Sequence, residues 1–479
     1  MKKYALGFIF WALPLQADYE YFKPLYESAT SKVELGNVVN LAVVHVDHTN
    51  YGAGSIDNND SNKVRNHPLW GEGSLLPKIK SQTTLSNSSQ FYTGLSAVAA
   101  FTKGDGDASG TSTTSNGPFH VDREEIFIGW KSGNFYNNSQ DLIDFSIGDQ
   151  SFKVGDSFVL GDGTSDAHRR AAYYIGPRSA FRNTAILRVN TSSIQGQLFH
   201  LSSNTNQRLM RGTDQPKTHL VGANIDYIYK DPKDDKKDLW SVSLLYFHIY
   251  KADKDFRATL SQTNRDGLHA INPRLGGFFF PFDKNIRFYA GYVEQRNNTA
   301  TRKVRANAYY IEPGYIFSKM WASPLIFYRY SHFSGDSTPG DGTKRSYDPL
   351  MFSYGARDGL GTWELGEIYG YYYGSNTNAT VHNFQIKLTP TEKLTVGLMY
   401  YIINFDKAQQ AQSASKRAVD ELNLYATLDY GWVSYTGLLG VSFPKDGMKQ
   451  SLLSQNSSLS PNNVGKNTMT AVFSMTFKF

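Results

Sequence analysis

The sequence predicts an all-β fold, a transmembrane antiparallel β-barrel of about 18 strands within a range of roughly 16–20. The strongest observation is the last segment, Thr468–Phe479, where one set of alternate positions is apolar and the other is almost entirely polar. Because side chains alternate faces along a strand, this segment has one apolar and one polar face. The closing strand of an outer-membrane barrel shows this pattern, with lipid on one face and a lumen on the other. A strand of a soluble sandwich is the alternative.

Composition is the second observation. The longest apolar run after the amino-terminus, Leu394–Phe405, has 12 residues, too few for a spanning helix and enough for a tilted strand. A mean hydropathy of −0.43 is compatible with a barrel, because only every second residue faces lipid. The 14% of aromatic residues suits girdles at the membrane interfaces. The absence of cysteine excludes disulfides and cysteine-based zinc or nucleophile chemistry.

The amino-terminus has the layout of a secretory signal peptide, which is the third observation. Lys2 and Lys3 precede the apolar run Tyr4–Leu13, and a small residue for cleavage follows at Ala17. We therefore predict a signal peptide at 1–17, an N-terminal periplasmic segment at 18–32 and the barrel at 33–479. The predicted location is the bacterial outer membrane, as a multi-pass β-barrel.

Eighteen segments have strand character. They are Val33–Val46, Gln90–Phe101, His120–Lys131, Asp141–Phe152, Ser179–Asn190, Ser193–Leu201, Thr218–Lys230, Asp238–Lys251, Gly267–Phe279, Asn285–Gln295, Arg302–Phe317, Ser323–Phe333, Thr362–Tyr373, Ala379–Thr389, Leu394–Asp406, Val419–Tyr430, Trp432–Phe443 and Thr468–Phe479. Short and long connections alternate over much of the chain, which predicts short periplasmic turns and long extracellular loops. The alternation breaks near 153–178 and 334–361. Each break predicts an inward or periplasmic excursion, or else a hidden strand that would bring the total to twenty.

Charged residues were assigned to the lumen wherever their apolar neighbours occupy the other face. An arginine that faces lipid at mid-depth costs about 2–4 kcal/mol, which gives this assignment an energetic basis. The predicted inward cations are Arg123, Arg182, Arg188, Arg287, Lys303, Arg305, Arg329 and Lys387, and the predicted inward acids are Glu125, Asp226, Glu421 and Asp429. Such a lumen attracts anions. The alternative is that these residues form ion-pair ladders that fill the barrel.

Two blocks of sequence resemble the alginate export family of outer-membrane porins. The first is Gly148–Asp156 with Phe158–Gly161, and the second is Tyr347–Leu350 with Gly355, Arg357, Asp358 and Gly361–Trp363. The first block departs from the family at Asp149, where the family has arginine. The resemblance implies an eighteen-stranded barrel with an Arg-rich pore that a loop constricts, and a polyuronate-like solute.

Other constellations carry weaker predictions. Arg169 and Arg170 form either a constriction cluster or a lipopolysaccharide contact, with a solvated loop as the alternative. The stretches Gly104–Asp107 and Gly161–Asp166 leave a surface Ca²⁺ site open, although ordinary turns explain them better. We assign no metal, no cofactor and no catalytic residue, because no catalytic motif occurs.

The sequence thus predicts a passive channel, not an enzyme, for small anionic or sugar-acid solutes. The predicted solute path comprises Arg123, Glu125, Arg169, Arg170, Arg182, Arg188, Arg287, Lys303, Arg305, Arg329, Arg357, Asp358, Lys387 and Glu421. The predicted partners are outer-membrane lipid, lipopolysaccharide and a small anionic or carbohydrate-like solute, with no nucleic acid. The alternatives are a barrel lipase or protease, and a plugged structural or adhesin barrel.

Overall fold

Eighteen antiparallel strands form one closed sheet. The computed structural model describes residues 22–57, 60–86, 88–106, 117–134, 141–164, 166, 168–205, 217–232, 234–253, 265–280, 282–298, 303–354, 357, 359–363, 365–455 and 461–479. In chain order the barrel strands are β1 Ser31–Asp47, β2 Leu69–Thr84, β3 Gln90–Gly104, β4 Phe119–Lys131, β5 Ile143–Gln150, β6 Phe181–Asn190, β7 Ile194–Ser202, β8 Thr218–Asp231, β9 Asp234–Ala252, β10 His269–Gly277, β11 Ile286–Asn297, β12 Lys303–Ile316, β13 Leu325–Phe333, β14 Ala379–Thr391, β15 Leu394–Phe405, β16 Arg417–Asp429, β17 Val433–Pro444 and β18 Thr468–Lys478.

The smaller elements lie at the strand ends and in the connections. They are the short strands Lys23–Glu27, Ser55–Asp57, Asp60–Arg65 and Thr343–Lys344, the 3₁₀ turns Thr49–Gly52, His168–Arg170, Ala408–Ala411 and Pro461–Asn463, the π-helix Gly366–Tyr373 and the helix α1 Asp446–Gln455. No helix in the described part of the chain is long and apolar enough to cross a membrane. The signal peptide predicted at 1–17 lies outside the described residues.

The barrel closes between its first and last strands. β18 pairs with β1 over ten positions, from Val38 opposite Lys478 to Asp47 opposite Met469, and pairs with β17 on its other edge. Met469 and Phe473 are about half exposed on the outer face, whereas Thr470 and Val472 are buried on the inner face. The prediction that Thr468–Phe479 closes a barrel with its apolar face outward is therefore confirmed.

Replacing Phe473 with arginine should destabilise the barrel by about 2–4 kcal/mol, because the new charge would face lipid in the apolar band. The measurement is the urea midpoint for unfolding from lipid vesicles. Ser474→Arg on the same strand is the matched control, since Ser474 points inward, and it should change the midpoint far less. Equal losses for both variants would contradict the assignment of faces.

The predicted and observed strands differ at two places whose effects on the count cancel. β2 was not predicted, because Lys78, Lys80 and Glu72 interrupt its apolar pattern. The predicted strand Thr362–Tyr373 is instead the π-helix, which lies inside the barrel and whose start is bound by Glu421. With these corrections the long connections share one end of the barrel, and the connections at the other end are shorter. The β11–β12 connection is the exception, because it is short and lies at the long-connection end. The predicted arrangement of turns and loops therefore holds over most of the chain.

Two long connections fold into the barrel, and we call them the first inward segment, residues 151–180, and the second inward segment, residues 334–378. Their chains meet at an isolated parallel bridge between Leu160 and Met351. The apolar side chains at this junction, such as Val159 and Leu160, are buried. Of the alternatives for 153–178 and 334–361, the inward excursion is correct. The described residues of the second block that resembles the alginate export family, and those of the first block beyond β5, therefore lie inside the barrel.

Candidate functional site

Three arginines surround one buried carboxylate inside the barrel. Glu312 on β12 is fully buried and receives Arg287 from β11 at 3.2 Å and Arg329 from β13 at 2.7 Å. Arg357, from the second inward segment, reaches the same carboxylate at 2.9 Å. Three guanidinium groups thus share a single carboxylate, so the cluster carries an excess of positive charge. We call these four residues the Glu312 cluster.

Aromatic rings hold the arginines of the Glu312 cluster in place. The Arg357 guanidinium lies 3.8 Å from the ring centroid of Tyr289, and that of Arg329 lies 4.8 Å from Trp363. Such cation–π contacts orient a guanidinium without neutralising its charge. The Trp363 indole N–H also donates to the backbone carbonyl of Asp156 at 2.6 Å, which ties the cluster to the first inward segment.

A further inward arginine, Arg274 on β10, lies beside the first inward segment. Its guanidinium donates to Asn224 at 2.8 Å and lies 3.6 Å from Asp226. Gly155 passes so close that an added Cβ would lie 2.8 Å from the Arg274 Nε atom, and its φ is +55°. Only glycine fits there without displacing the arginine. The neighbouring Lys153 is exposed, which adds a second cation at this position.

The second inward segment is attached to the barrel interior through Asp348. Arg265 donates two hydrogen bonds to this carboxylate, at 2.8 and 2.7 Å, and both residues are buried. The side chain of Gln295 on β11 donates a hydrogen bond to the backbone carbonyl of Asp348 and accepts one from its backbone N–H group. Burial acts to raise the pKa of Asp348, but the charge and hydrogen bonds of Arg265 hold that pKa below its ordinary value.

The first inward segment is attached through charged residues of its own. Arg170 is fully buried, donates to the Asn204 carbonyl at 2.8 Å and pairs with Asp122 at 3.0 Å. Arg182 donates to Asp149 at 3.1 Å and to two backbone carbonyls. Arg170 therefore secures the segment, whereas Arg182 lies on β6 and ties that strand to β4 and β5. Neither of these two predicted path residues is open to the lumen. Arg169, which directly precedes Arg170, is exposed.

Four other predicted residues point inward, as expected. Glu125 pairs with Lys78, Arg188 lies 3.6 Å from Asp144, and Lys387 occupies an inward position of β14. Glu421 accepts the backbone N–H groups of Ile368 and Tyr369 at 2.8 and 2.9 Å, which binds the first turn of the π-helix. Asp358 lies outside the described residues.

Three predicted path residues are on the outer face. The side chain of Arg123 is 59% exposed, and its cross-strand partner is the outward-facing Ala97. A bulge at Glu124 inserts one extra residue into β4, so residues before the bulge face the side opposite to the one that the later alternation predicts. Lys303 and Arg305 alternate with Val304 and Ala306, which are buried on the inside. The apolar face of this part of β12 packs inside the barrel and not against lipid, so the assignment of Lys303 and Arg305 to the lumen was wrong.

Sequence reasoning missed Glu312, Arg274 and Asp348. Glu312 was hidden by the reversed assignment of β12, because it shares its face with Val304 and Ala306. Arg274 could have been found, since Asn272 and Arg274 alternate with apolar residues in a segment already predicted as a strand. Among the described residues, no group of three or more His, Cys, Asp or Glu is placed to hold a metal ion.

The architecture is that of a closed, 18-stranded antiparallel β-barrel. The structures that share it include Acinetobacter baumannii OccAB3, with a TM-score of 0.56, 11% identity and coverage of 93% of this chain and 99% of that chain. Pseudomonas aeruginosa OccK11 (OpdR) has a TM-score of 0.54 and 10% identity, with coverage of 93% of this chain and 96% of that chain. Pseudomonas aeruginosa OpdK with vanillate has a TM-score of 0.51 and 9% identity, with coverage of 93% of this chain and 98% of that chain. At 9–11% identity, these similarities show a shared fold. The sequence matches no protein-family model and no curated protein.

Proposed function

We propose that the protein is an outer-membrane channel through which small anionic solutes diffuse passively. The observation that carries the proposal is the Glu312 cluster, where three arginines share one carboxylate inside the barrel. Inward-facing arginines favour anions over cations, and the low dielectric of a packed interior strengthens their field. Several weak positive sites in sequence allow an anion to leave as well as to enter.

The inward segments narrow the lumen and place cations along it. Lys153 and Arg274 lie beside the first inward segment, and Arg357 belongs to the second. Arg188, on the wall, is 25% exposed and lies beside Phe152. A carboxylate that moves along these groups exchanges one guanidinium or ammonium partner for the next, so no single site binds it strongly enough to trap it.

The substrate class we propose is the small carboxylate. Arginine recognises a carboxylate through two parallel N–H donors, and the partly exposed ring of Tyr289 lies beside Arg357. This combination suits an aromatic or sugar acid, and a solved structure of similar fold contains vanillate. A polyuronate-like solute, which the resemblance to the alginate export family implies, belongs to the same chemical class.

The experiment is the reversal potential of purified protein in planar bilayers under a salt gradient. The wild-type channel should favour anions. Arg357→Gln should lower the ratio of anion to cation permeability by up to about tenfold, because a unit charge about 10 Å from the path contributes roughly 1–2 kcal/mol at an effective dielectric constant of about 20.

Arg305→Gln is the matched control for that experiment. It removes the same charge from the outer face, so the reversal potential should not change. A wild-type channel that prefers cations would refute the proposal. A barrel that never conducts would favour the plugged structural alternative, and loss of lipid or peptide hydrolysis on mutating one serine or histidine would favour the enzyme.

Finally, we infer that the outer wall contacts lipopolysaccharide at the end that carries the long connections. In outer-membrane barrels the long connections are extracellular, and in this chain the first barrel strand begins and the last one ends at the opposite end. The outward side chains at the long-connection end therefore meet the outer leaflet.

A further inference from the structure

A row of nitrogen-bearing side chains crosses four strands on the outer wall. His248 on β9 lies opposite His269 on β10, His269 lies opposite Arg296 on β11, and Arg296 lies opposite Arg305 on β12. All four point outward, at the end of the barrel that carries the long connections. We call this set the outer-wall row.

The row lies directly beyond the apolar band. Ile271 follows His269 by two residues on the same face of β10, which is a distance of about 7 Å along the strand. Ile271 and Ile311 are both more than 40% exposed, as are Leu244 and Tyr246 on β9. The outer-wall row is therefore at the depth where hydrocarbon gives way to lipid headgroups.

Of the two arginines in the row, Arg296 has a carboxylate partner in the described structure and Arg305 has none. The two arginines are directly opposite each other, and like charges in that position destabilise a strand pair. Glu294 pairs with Arg296 at 2.8 Å, but Arg305 donates only to the Val304 carbonyl and the Asn298 side chain among the contacts seen. Lys303, two residues away on the same face, is exposed and adds another cation.

The two histidines extend the same surface. Their rings are stacked with centroids 4.2 Å apart and planes 18° apart. Both rings lie beside the arginines on the outward face of β9 and β10, so they form part of the same polar surface.

We propose that the outer-wall row binds the phosphate groups of lipopolysaccharide in the outer leaflet. Guanidinium groups suit phosphate because their planar donors match its oxygens, and a phosphate between Arg296 and Arg305 would relieve their repulsion. The acyl chains of the same molecule would lie on Ile271 and Ile311 below. The proposal rests on the outer-membrane placement given above and is independent of conduction.

The test is native mass spectrometry of detergent-purified protein titrated with bisphosphorylated lipid A. Arg296→Gln combined with Arg305→Gln should weaken binding by at least about tenfold, because each lost guanidinium removes charge-assisted hydrogen bonds to phosphate. Lys319→Gln combined with Lys393→Gln, which removes two charges at the short-turn end, is the matched control and should bind as the wild type does. Equal affinity of the wild type and the arginine double variant would overturn the proposal.

Two further titrations identify the ligand. Dephosphorylated lipid A should bind the wild type no better than it binds the double variant, and inorganic phosphate should bind neither at comparable concentrations. Tight binding of inorganic phosphate alone would overturn the assignment to lipid. Arg305→Gln alone leaves the Arg296–Glu294 pair intact and serves as a second variant should the double variant not fold. Unchanged bilayer conductance in these variants separates this proposal from the proposed channel function.

Discussion

Replacing Glu312 with glutamine should destabilise the barrel by about 3–5 kcal/mol, because removal of one partner leaves buried charges uncompensated. Glu312 is the only carboxylate that the described structure places in contact with Arg287, Arg329 and Arg357 together. Without it, three guanidinium groups would repel one another in a packed interior. The measurement is the urea midpoint for unfolding from lipid vesicles, followed by tryptophan fluorescence.

Glu294→Gln is the control for this prediction, since it is the same chemical change in an ion pair on the outer wall. The Glu294–Arg296 pair is largely exposed on the arginine side, and such pairs contribute about 0–1 kcal/mol. The folded fraction of Glu312→Gln protein should also show stronger anion selectivity than the wild type. If both variants unfold at the same urea concentration, the Glu312 cluster does not stabilise the barrel.

Replacing Asp348 with asparagine should release the second inward segment and raise the single-channel conductance. Loss of one partner from the buried Asp348–Arg265 pair costs about 3–5 kcal/mol, which lowers the equilibrium constant for attachment by about two to four orders of magnitude. A segment that leaves the lumen widens the path. Planar-bilayer recordings measure the effect, and unchanged conductance in a folded variant would show that the segment is held by other contacts.

Asp341→Asn is the control, because Asp341 pairs with Arg345 on the same segment at an exposed position. It should leave conductance unchanged.

The attachment of the second inward segment through Asp348 has a defined pH dependence. Since Arg265 holds the pKa of Asp348 below its ordinary value, the stabilisation is present above the ordinary carboxyl pKa and is lost as the pH falls through the lowered one.

Alternation of side chains predicted most of the barrel because lipid imposes a strict rule on every second residue. The rule identified Arg287, Arg329 and Glu421 as inward, and the structure places them inward. It failed for Arg123, where a bulge reverses the faces and leaves no mark in the sequence pattern. It also failed for Lys303 and Arg305. Beyond the apolar band the outer face of a strand no longer contacts hydrocarbon, and here the apolar side chains pack on the inner face.

The Glu312 cluster itself could not be predicted from the sequence. Its members come from three strands and from Arg357, which is brought to them only by the fold of the second inward segment. The π-helix is a similar case. Tyr369, Tyr371 and Tyr373 fall on alternate positions like the side chains of a strand. In the structure, hydrogen bonds from Ile368 and Tyr369 to Glu421 hold a helical turn there instead.

The hairpin before the barrel protects the molecule against self-association. β1 extends past the last residue of β18. The edge of β1 that faces β18 therefore has no barrel partner from Lys32 to Leu35, although its other edge pairs with β2. The short strand Lys23–Glu27 pairs with that edge and satisfies its amides and carbonyls. Its own free edge is five residues long and contains a lysine and a proline, features that discourage addition of a further strand. In the described part of the chain, two copies that meet at this end therefore offer each other only this short edge, which is poorly suited to forming a shared sheet.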